Sequence, residues 1–413
     1  MPFMHHTRRR LLQIGAAAAS GLTAGAADTP LGQRLAAAME APVLKKSLFP
    51  DPVWIESLEL LKAGEHYLVR VRSGGLTGYS EAHSEVMRLA FPILLRRVAP
   101  GFIKQDAREL ERLSRAAYLA QSNYKWQGLP FWVCMAAVEI AILDLLGQAA
   151  RKPLGELLGA VTQREISVYR ASSHRGNAPE AEIAYLEKVV AEDGAQAIKY
   201  RLGARMHYTD DSTRRDLALI PLTRKKFGDR MTIYADANGS YDVPMAIRIG
   251  KLLEAHNHRF FEEPVPFDYY DETREIAQAL RIPIALGEEE MSLRGFRRII
   301  EHGIARIVQP DLMYFGGLIR SVKVARMAAA AGLECTPHIS GGGLGFLYVA
   351  HFASCVPNCG PHQEYKGMDR TLPAECPTSP LKSVNGKLTV PAGPGLGIVI
   401  DPDYLKRAER VTL

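Results

Sequence analysis

Six polar residues recur along the second half of this chain at nearly constant spacing, and no other feature constrains the fold as strongly. Asp236, Glu262, Glu288, Asp311, His338 and Glu364 follow one another at steps of 26, 26, 23, 27 and 26 residues. Each closes a short apolar run: "MTIYADAN", "RFFEEP", "IPIALGEE", "ARIVQPD", "LECTPH" and "GPHQEY". One βα repeat has about that length, so the six occupy the same rung of successive strands and converge on one mouth. A cap or a solvated loop charge would explain any one of them, but not the regular series. Two earlier runs, "EISVYRAS" and "AIKYRLG", bring the number of strand–helix units to eight. The expected catalytic unit is therefore an α/β domain, a (β/α)8-type barrel over 161–370, with its chemistry at the C-terminal strand ends.

At 413 residues the chain is too long for one ordinary core. Residues 43–95 read as alternating strands around a Gly-Gly turn, and 105–160 as helices. The run "FWVCMAAVEIAILDLLGQAARKPLGELLG" is a long apolar-faced helix ending at Gly147, then a short one. Together they form an α+β capping domain over 43–160. The segment 371–413 carries "NGKLTVPAGPGLGIVIDPDYL" and is expected to pack back on that domain and complete it. A lid over the mouth is expected from Phe49–Trp54 or from the "EAHSEV" loop. Residues 27–42 read as a linker or loose arm.

The N-terminus, "THRRR"-like only in outline, runs Thr7-Arg8-Arg9-Arg10-Leu11-Leu12 into a mild apolar stretch and a small-x-small site at Ala24-Gly25-Ala26. Residues 1–26 thus resemble a twin-arginine export signal, which implies a soluble periplasmic protein with no membrane partner once the signal is removed. No other stretch reaches about 18 consecutive apolar residues. Without Arg8–Arg10 the balance is 48 basic to 45 acidic residues, which gives no argument for nucleic acid. The five cysteines fit no metal spacing, so buried thiols are expected.

Asp236, Glu262 and Glu288 lie on three consecutive strands. Three converging carboxylates repel unless a cation holds them, and an all-oxygen set suits one Mg²⁺ per site. Asp311 and His338 lie on adjacent strands; a carboxylate on an imidazole fixes its tautomer and makes a general base or acid. Lys199 and Arg201 share one face of "AIKYRLG". The set composes one chemistry: a metal on a substrate carboxylate, a base beside the α-carbon, and an enediolate intermediate. Ser172, Ser173, His174 and Arg175 follow the first strand. Such polar βα loops are common, and Ser173 and His174 are the candidates there for substrate hydroxyls.

These residues, with "AVEIAILDLLGQAARKPLGELLG" and "VPAGPGLGIVID", resemble the enolase superfamily, most closely its mandelate racemase group. Sites of that superfamily are a standing example of a Lys or His base acting with Mg²⁺. The resemblance covers nearly the whole chain after the signal and implies a modified TIM barrel with a capping domain, usually as a homo-oligomer. It implies that Asp236, Glu262 and Glu288 bind Mg²⁺ and that His338 with Asp311 is the catalytic dyad. Glu364 would hydrogen-bond the substrate carboxylate and stay protonated as substrate binds, and Asn238 would contact substrate.

One position departs. The mandelate racemase pattern carries Lys-x-Lys where this chain has Lys199-Tyr200-Arg201. Arginine keeps its proton and is a poor base. A two-base racemase would lose one face, leaving His338 as base and as donor to a leaving hydroxide. That favours dehydration of a sugar acid to a 2-keto-3-deoxy acid. The alternatives are Lys199 as base, an activated Arg201 in a racemase or epimerase, and an exported metal- or ligand-binding sensor without turnover.

Overall fold

The computed structural model describes residues 29–366 and 372–413, and the export signal read from residues 1–26 lies outside them. The first described element corrects the reading of 27–42 as a loose arm. Helix α1 (Pro30–Glu40) is capped by Thr29 Oγ1, which accepts from Gly32 N at 2.9 Å, and it buries Leu35 and Met39 against the barrel.

Alternating apolar residues then build an antiparallel meander, β1 (Ser57–Ala63), β2 (His66–Ser73) and β3 (Leu76–Ala82). The β2–β3 turn is Gly74-Gly75, both at positive φ, where a side chain would be strained. Helices α2 (Ser84–Ile93), α3 (Leu110–Leu119), α4 (Leu129–Ala150) and α5 (Leu154–Leu158) complete the capping domain. Every residue of α4 from Phe131 to Gly147 is buried. By length and mean composition α4 could cross a membrane, although Glu139 and Asp144 interrupt its apolar run. Here 89% of its most apolar 18-residue window is buried inside the protein.

Two acids interrupt α4 and are both answered by backbone. Glu139 Oε1 accepts from Ile319 N at 3.0 Å, while Asp144 accepts from Tyr79 N at 2.8 Å and from Leu396 N at 2.7 Å. The helix does not end at Gly147. Gly147 lies inside it and leaves room for Gly395, which sits where a Cβ would be, and the helix stops at Arg151, which is in the left-handed region.

The second domain alternates strand and helix. Its strands are β4 (Glu165–Ala171), β5 (Ala197–Arg201), β6 (Thr232–Asp236), β7 (Phe261–Glu262), β8 (Ile284–Leu286), β9 (Ile307–Val308), β10 (Glu334–Cys335) and β11 (Gln363–Tyr365). The intervening helices are α6 (Pro179–Asp193), α7 (Asp210–Phe227), α8 (Val243–Ala255), α9 (Tyr270–Ala279), α10 (Leu293–Glu301), α11 (Leu318–Ala330) and α12 (Gly345–Cys355). The eight strands form one curled parallel sheet in the order β10-β9-β8-β7-β6-β5-β4-β11. This is the expected barrel architecture, with each expected run in place.

The C-terminal segment adds β12 (Ala374–Glu375), β13 (Lys387–Thr389), β14 (Val399–Ile400), α13 (Pro402–Lys406) and β15 (Glu409–Arg410). It returns to the capping domain as expected: β15 pairs with β1, and Tyr404 Oη donates to Ala63 O at 2.8 Å. β13 instead pairs antiparallel with β4. All five cysteines are free; Cys134, Cys335 and Cys355 are buried, Cys359 and Cys376 half-buried.

Candidate active site

Strand register sets the site. In the parallel ladders Arg201 pairs with Asp236 and Asp236 with Glu262, so three functional residues share one rung across β5, β6 and β7. Glu288 lies just beyond β8, and an isolated parallel bridge joins Asp311 to His338. All are buried, Asp236, Glu262, Asp311 and Glu364 completely.

Oxygens of Asp236, Glu262 and Glu288 lie within 4.8 Å of one another, and Glu288 Oε2 accepts no hydrogen bond among the described residues. This all-carboxylate donor set with a spare oxygen fits a hard divalent cation such as Mg²⁺.

The two cations of β5 face this cluster, while Ile198 and Tyr200 point into the outer helix-packed core. Lys199 Nζ donates to Glu262 at 2.8 and 3.0 Å and lies 3.4 Å from Asp236 Oδ2. Burial opposes its charge, but Glu262 first, then Tyr169 and Glu364, hold its pKa above the ordinary lysine value. Arg201 forms an ion pair with Asp236, donates from Nη1 to Asn238 Oδ1 at 3.0 Å and from Nε to Ser172 O at 3.1 Å. Burial likewise opposes its charge, and Glu262, Glu288 and Glu364 outweigh it, so its pKa too is raised.

Across the mouth, His338 Nδ1 lies 2.7 Å from Asp311 Oδ2. Asp311 is anchored in turn: its Oδ1 accepts from the Met313 and Tyr314 amides at 2.7 Å each. This leaves His338 Nε2 facing Glu288 Oε2 at 3.3 Å and Glu364 Oε2 at 3.5 Å. Burial disfavours the imidazolium, but Glu288, Glu364 and Asp311 together raise its pKa to about 9. Glu364 is expected to be protonated once substrate binds; here, among its own neighbours, the cations prevail. Burial alone would raise its pKa, yet Lys366, Lys199, His338 and Arg201 hold it well below the usual carboxylate range.

Comparison with known proteins follows this geometry. Residues 51–159 match the family described as mandelate racemase / muconate lactonizing enzyme, N-terminal domain, and 182–404 match the enolase C-terminal domain-like family. The chain belongs to the enolase superfamily. Among its relatives is an arabinonate dehydratase of Saccharolobus solfataricus, 28% identical over 79% of this chain and 86% of that protein. A D-galactonate dehydratase of Xanthomonas campestris pv. campestris is 27% identical over 81% of this chain and 88% of that one. A solved mandelate racemase/muconate lactonizing protein from Paracoccus denitrificans PD1222, complexed with magnesium, superposes with a TM-score of 0.78. It is 27% identical and covers 87% of this chain and 99% of that chain.

Within this enolase-superfamily site, the loop after β4 sends its side chains in different directions. Ser173 is exposed. His174 packs edge-on against Tyr185 at 4.5 Å and lies 3.7 Å from Glu182 Oε2, so it belongs to the β4–α6 loop and α6. Arg175 of that loop does turn inward and donates to Asn238 Oδ1, the acceptor it shares with Arg201. Asn238 Nδ2 lies 3.3 Å from Glu288 Oε1, which places Asn238 among the carboxylates.

Glu263 and Glu289 were not anticipated. With Glu288 they form a second carboxylate group within 4.8 Å. Strand alternation would send Glu263 to the opposite face from Glu262, but its φ of 42° breaks the alternation and brings its carboxylate 3.4 Å from Asn238 Nδ2. The doubled acids of "FFEEP" and "LGEEE" were the available signal.

From the capping domain, His83 of the "EAHSEV" loop reaches the barrel, with Nε2 3.3 Å from Tyr314 Oη. The Phe49–Trp54 segment turns the other way: Phe49 is buried in the capping core and Trp54 bridges to Asp106.

Proposed function

We propose that this protein is a Mg²⁺-dependent sugar-acid dehydratase that removes the proton α to a carboxylate and expels the β-hydroxyl as water. The observation that carries this reading is the asymmetry of the mouth. A carboxylate-anchored imidazole stands on one side, and a Lys–Arg pair spent on the carboxylates stands on the other. The dehydratase relatives support the same class of reaction.

Asp236, Glu262 and Glu288 would hold the Mg²⁺, which when bound would supply Lewis-acid polarisation of the substrate carboxylate. Asp311 accepts the hydrogen bond of the His338 Nδ1–H, which fixes the tautomer and directs Nε2 at the substrate. In the neutral imidazole Nε2 accepts the α-proton, and the C–H electron pair passes into the carboxylate as an enediolate. Lys199 and Arg201 face the developing charge as fixed cations, and Asn238 and Glu364 lie beside it as polar contacts. The enediolate re-forms its carbonyl as the β C–O bond breaks. The imidazolium returns its proton to the departing hydroxide, giving water and an enol that tautomerises to the 2-keto-3-deoxy acid. One base serves both steps.

The test is a panel of aldonic and aldaric acids given to the Mg²⁺-loaded protein, with 2-keto-3-deoxy product measured. Product from at least one acid is expected. Deuterium entering recovered substrate with inversion, and no keto acid from any member, would instead identify a racemase. Tight binding without turnover would identify a sensor. Export is part of the proposal on sequence grounds alone, through Arg8–Arg10 and the apolar run after them. Cell fractionation with N-terminal sequencing checks it; an uncleaved cytoplasmic chain overturns it.

A further inference from the structure

A cavity of about 470 Å³ lies between the capping domain and the barrel, outside the carboxylate mouth. Its walls come from the end of α1, from α3, the first half of α4, the β8–α10 connection with the start of α10, and the first turns of α11.

Arg320 gives this cavity its chemistry. Its guanidinium lies 3.7 Å from the Trp132 ring centroid and 4.4 Å from that of Phe315. Nε donates to Phe315 O at 2.7 Å and Nη2 to Met291 O at 2.8 Å. Among the described residues no carboxylate oxygen comes within 4.0 Å of it. The neighbouring acid, Glu139, is not within ion-pair distance of it: its Oε1 is taken by the Ile319 amide, and burial pushes its carboxyl up to about 8. A cation removed from water with no paired anion is costly, and stacking with two carbonyl bonds compensates only in part.

Two neutral donors line the same space. Trp132 Nε1 and Ser114 Oγ are buried and have no hydrogen-bond partner among the described residues. Trp132 is 6% exposed, and its Cε3 edge lies against Gly316, so the opposite edge, with the indole N–H, points away from that loop. Unpaired buried donors beside an unpaired guanidinium make a site that lacks an acceptor. Tyr118, Leu293 and Ile319 add apolar surface, beside the Lys323–Glu111 ion pair at 3.1 Å and the charges of Glu40, Arg115 and Arg294.

We propose that this cavity binds a small organic anion, a carboxylate on an apolar body. The carboxylate is received by Arg320, Trp132 Nε1 and Ser114 Oγ, and the body lies against Tyr118, Leu293 and Ile319.

Calorimetric titration of the full-length, Mg²⁺-loaded protein with benzoate tests the site. Saturable binding with a Kd of about 1 mM or tighter is expected, and at least about tenfold weaker binding of benzyl alcohol, which keeps the body and loses the charge. Ser114→Leu, which fills the space, should abolish benzoate binding, and Trp132→Phe, which keeps the ring and loses the N–H, should weaken it about tenfold. A carboxylate can also enter the catalytic mouth, so binding unchanged in both variants places benzoate there and overturns the proposal. Absence of saturable heat up to about 10 mM overturns it as well. Circular dichroism checks the fold of each variant. Should Ser114→Leu not fold, Trp132→Phe decides alone.

Discussion

Arg201 Nη1 lies 3.0 Å from Asn238 Oδ1, while the same guanidinium pairs with Asp236 and its Nε holds Ser172 O at 3.1 Å. One planar group thereby ties the end of β4 to β6 and its metal-facing carboxylate. A lysine ammonium cannot span three such partners. Arg201→Lys is expected to lower kcat/KM about 100-fold, close to 2.7 kcal/mol of transition-state stabilisation. It should also add a proton-transferring group on the face opposite His338. Substrate recovered from D2O should then carry α-deuterium with inverted configuration in the variant and not in the parent. Parent-like turnover in the variant would show that the fork of bonds has no part in catalysis.

The dyad gives a graded pair of substitutions. His338→Asn removes the imidazole between Glu288 and Glu364 and should reduce kcat by about 10³-fold or more. Asp311→Asn keeps an acceptor for the Met313 and Tyr314 amides but loses the charge on Nδ1, and a loss of about 10–100-fold is expected. In both, Mg²⁺ affinity measured by calorimetry should stay within about threefold of the parent, since neither side chain belongs to the ligand set. Retained turnover in His338→Asn would move the base elsewhere.

How much of this site could be read in advance follows from where backbone geometry is repetitive. The 26-residue rhythm brings Asp236, Glu262, Glu288, Asp311, His338 and Glu364 together because each βα unit returns the chain to one rung, which spacing reports directly. Glu263 escapes that logic, since a single left-handed residue cancels strand alternation and no pattern over several residues records it. His174 and Arg175 differ for a tertiary reason: Tyr185 on α6 captures the imidazole, and Asn238 just past β6 receives the guanidinium. Helix α1 was hidden by its composition, because "PLGQRLAAAME" follows an Ala-rich stretch and its apolar positions gain meaning only against the barrel. Gly147 was read as a helix end when its lack of Cβ serves the approach of Gly395.

Metal removal should separate the carboxylates by role. Chelation is expected to abolish turnover, with recovery on adding Mg²⁺. Glu288→Gln should weaken Mg²⁺ binding at least about tenfold, as one charged oxygen donor is lost from three. Glu289→Gln retains all three proposed ligands, so its Mg²⁺ affinity should change less than that of Glu288→Gln. Equal losses in the two variants would instead make Glu263, Glu288 and Glu289 the principal cation site.

The buried acid of α4 offers a pH test remote from the mouth. Burial raises the carboxyl of Glu139 to about 8, while the Ile319 and Leu318 amides pull the other way without prevailing. The folded chain then holds a proton that the unfolded chain releases near the ordinary glutamate value. Folding stability from this group is therefore complete at low pH and is lost as pH rises from about 4.5 to about 8, where the loss levels off. Glu139→Gln keeps an oxygen for the Ile319 amide and has no proton to lose. At pH 5 its thermal midpoint should lie near that of the parent. At pH 8.5 it should lie higher by several degrees, the linkage over about three pH units being at most about 4 kcal/mol. A midpoint difference that does not grow between those two pH values would mean that Glu139 is ionised in the folded protein, and that Arg320 is then its counter-charge across the cavity.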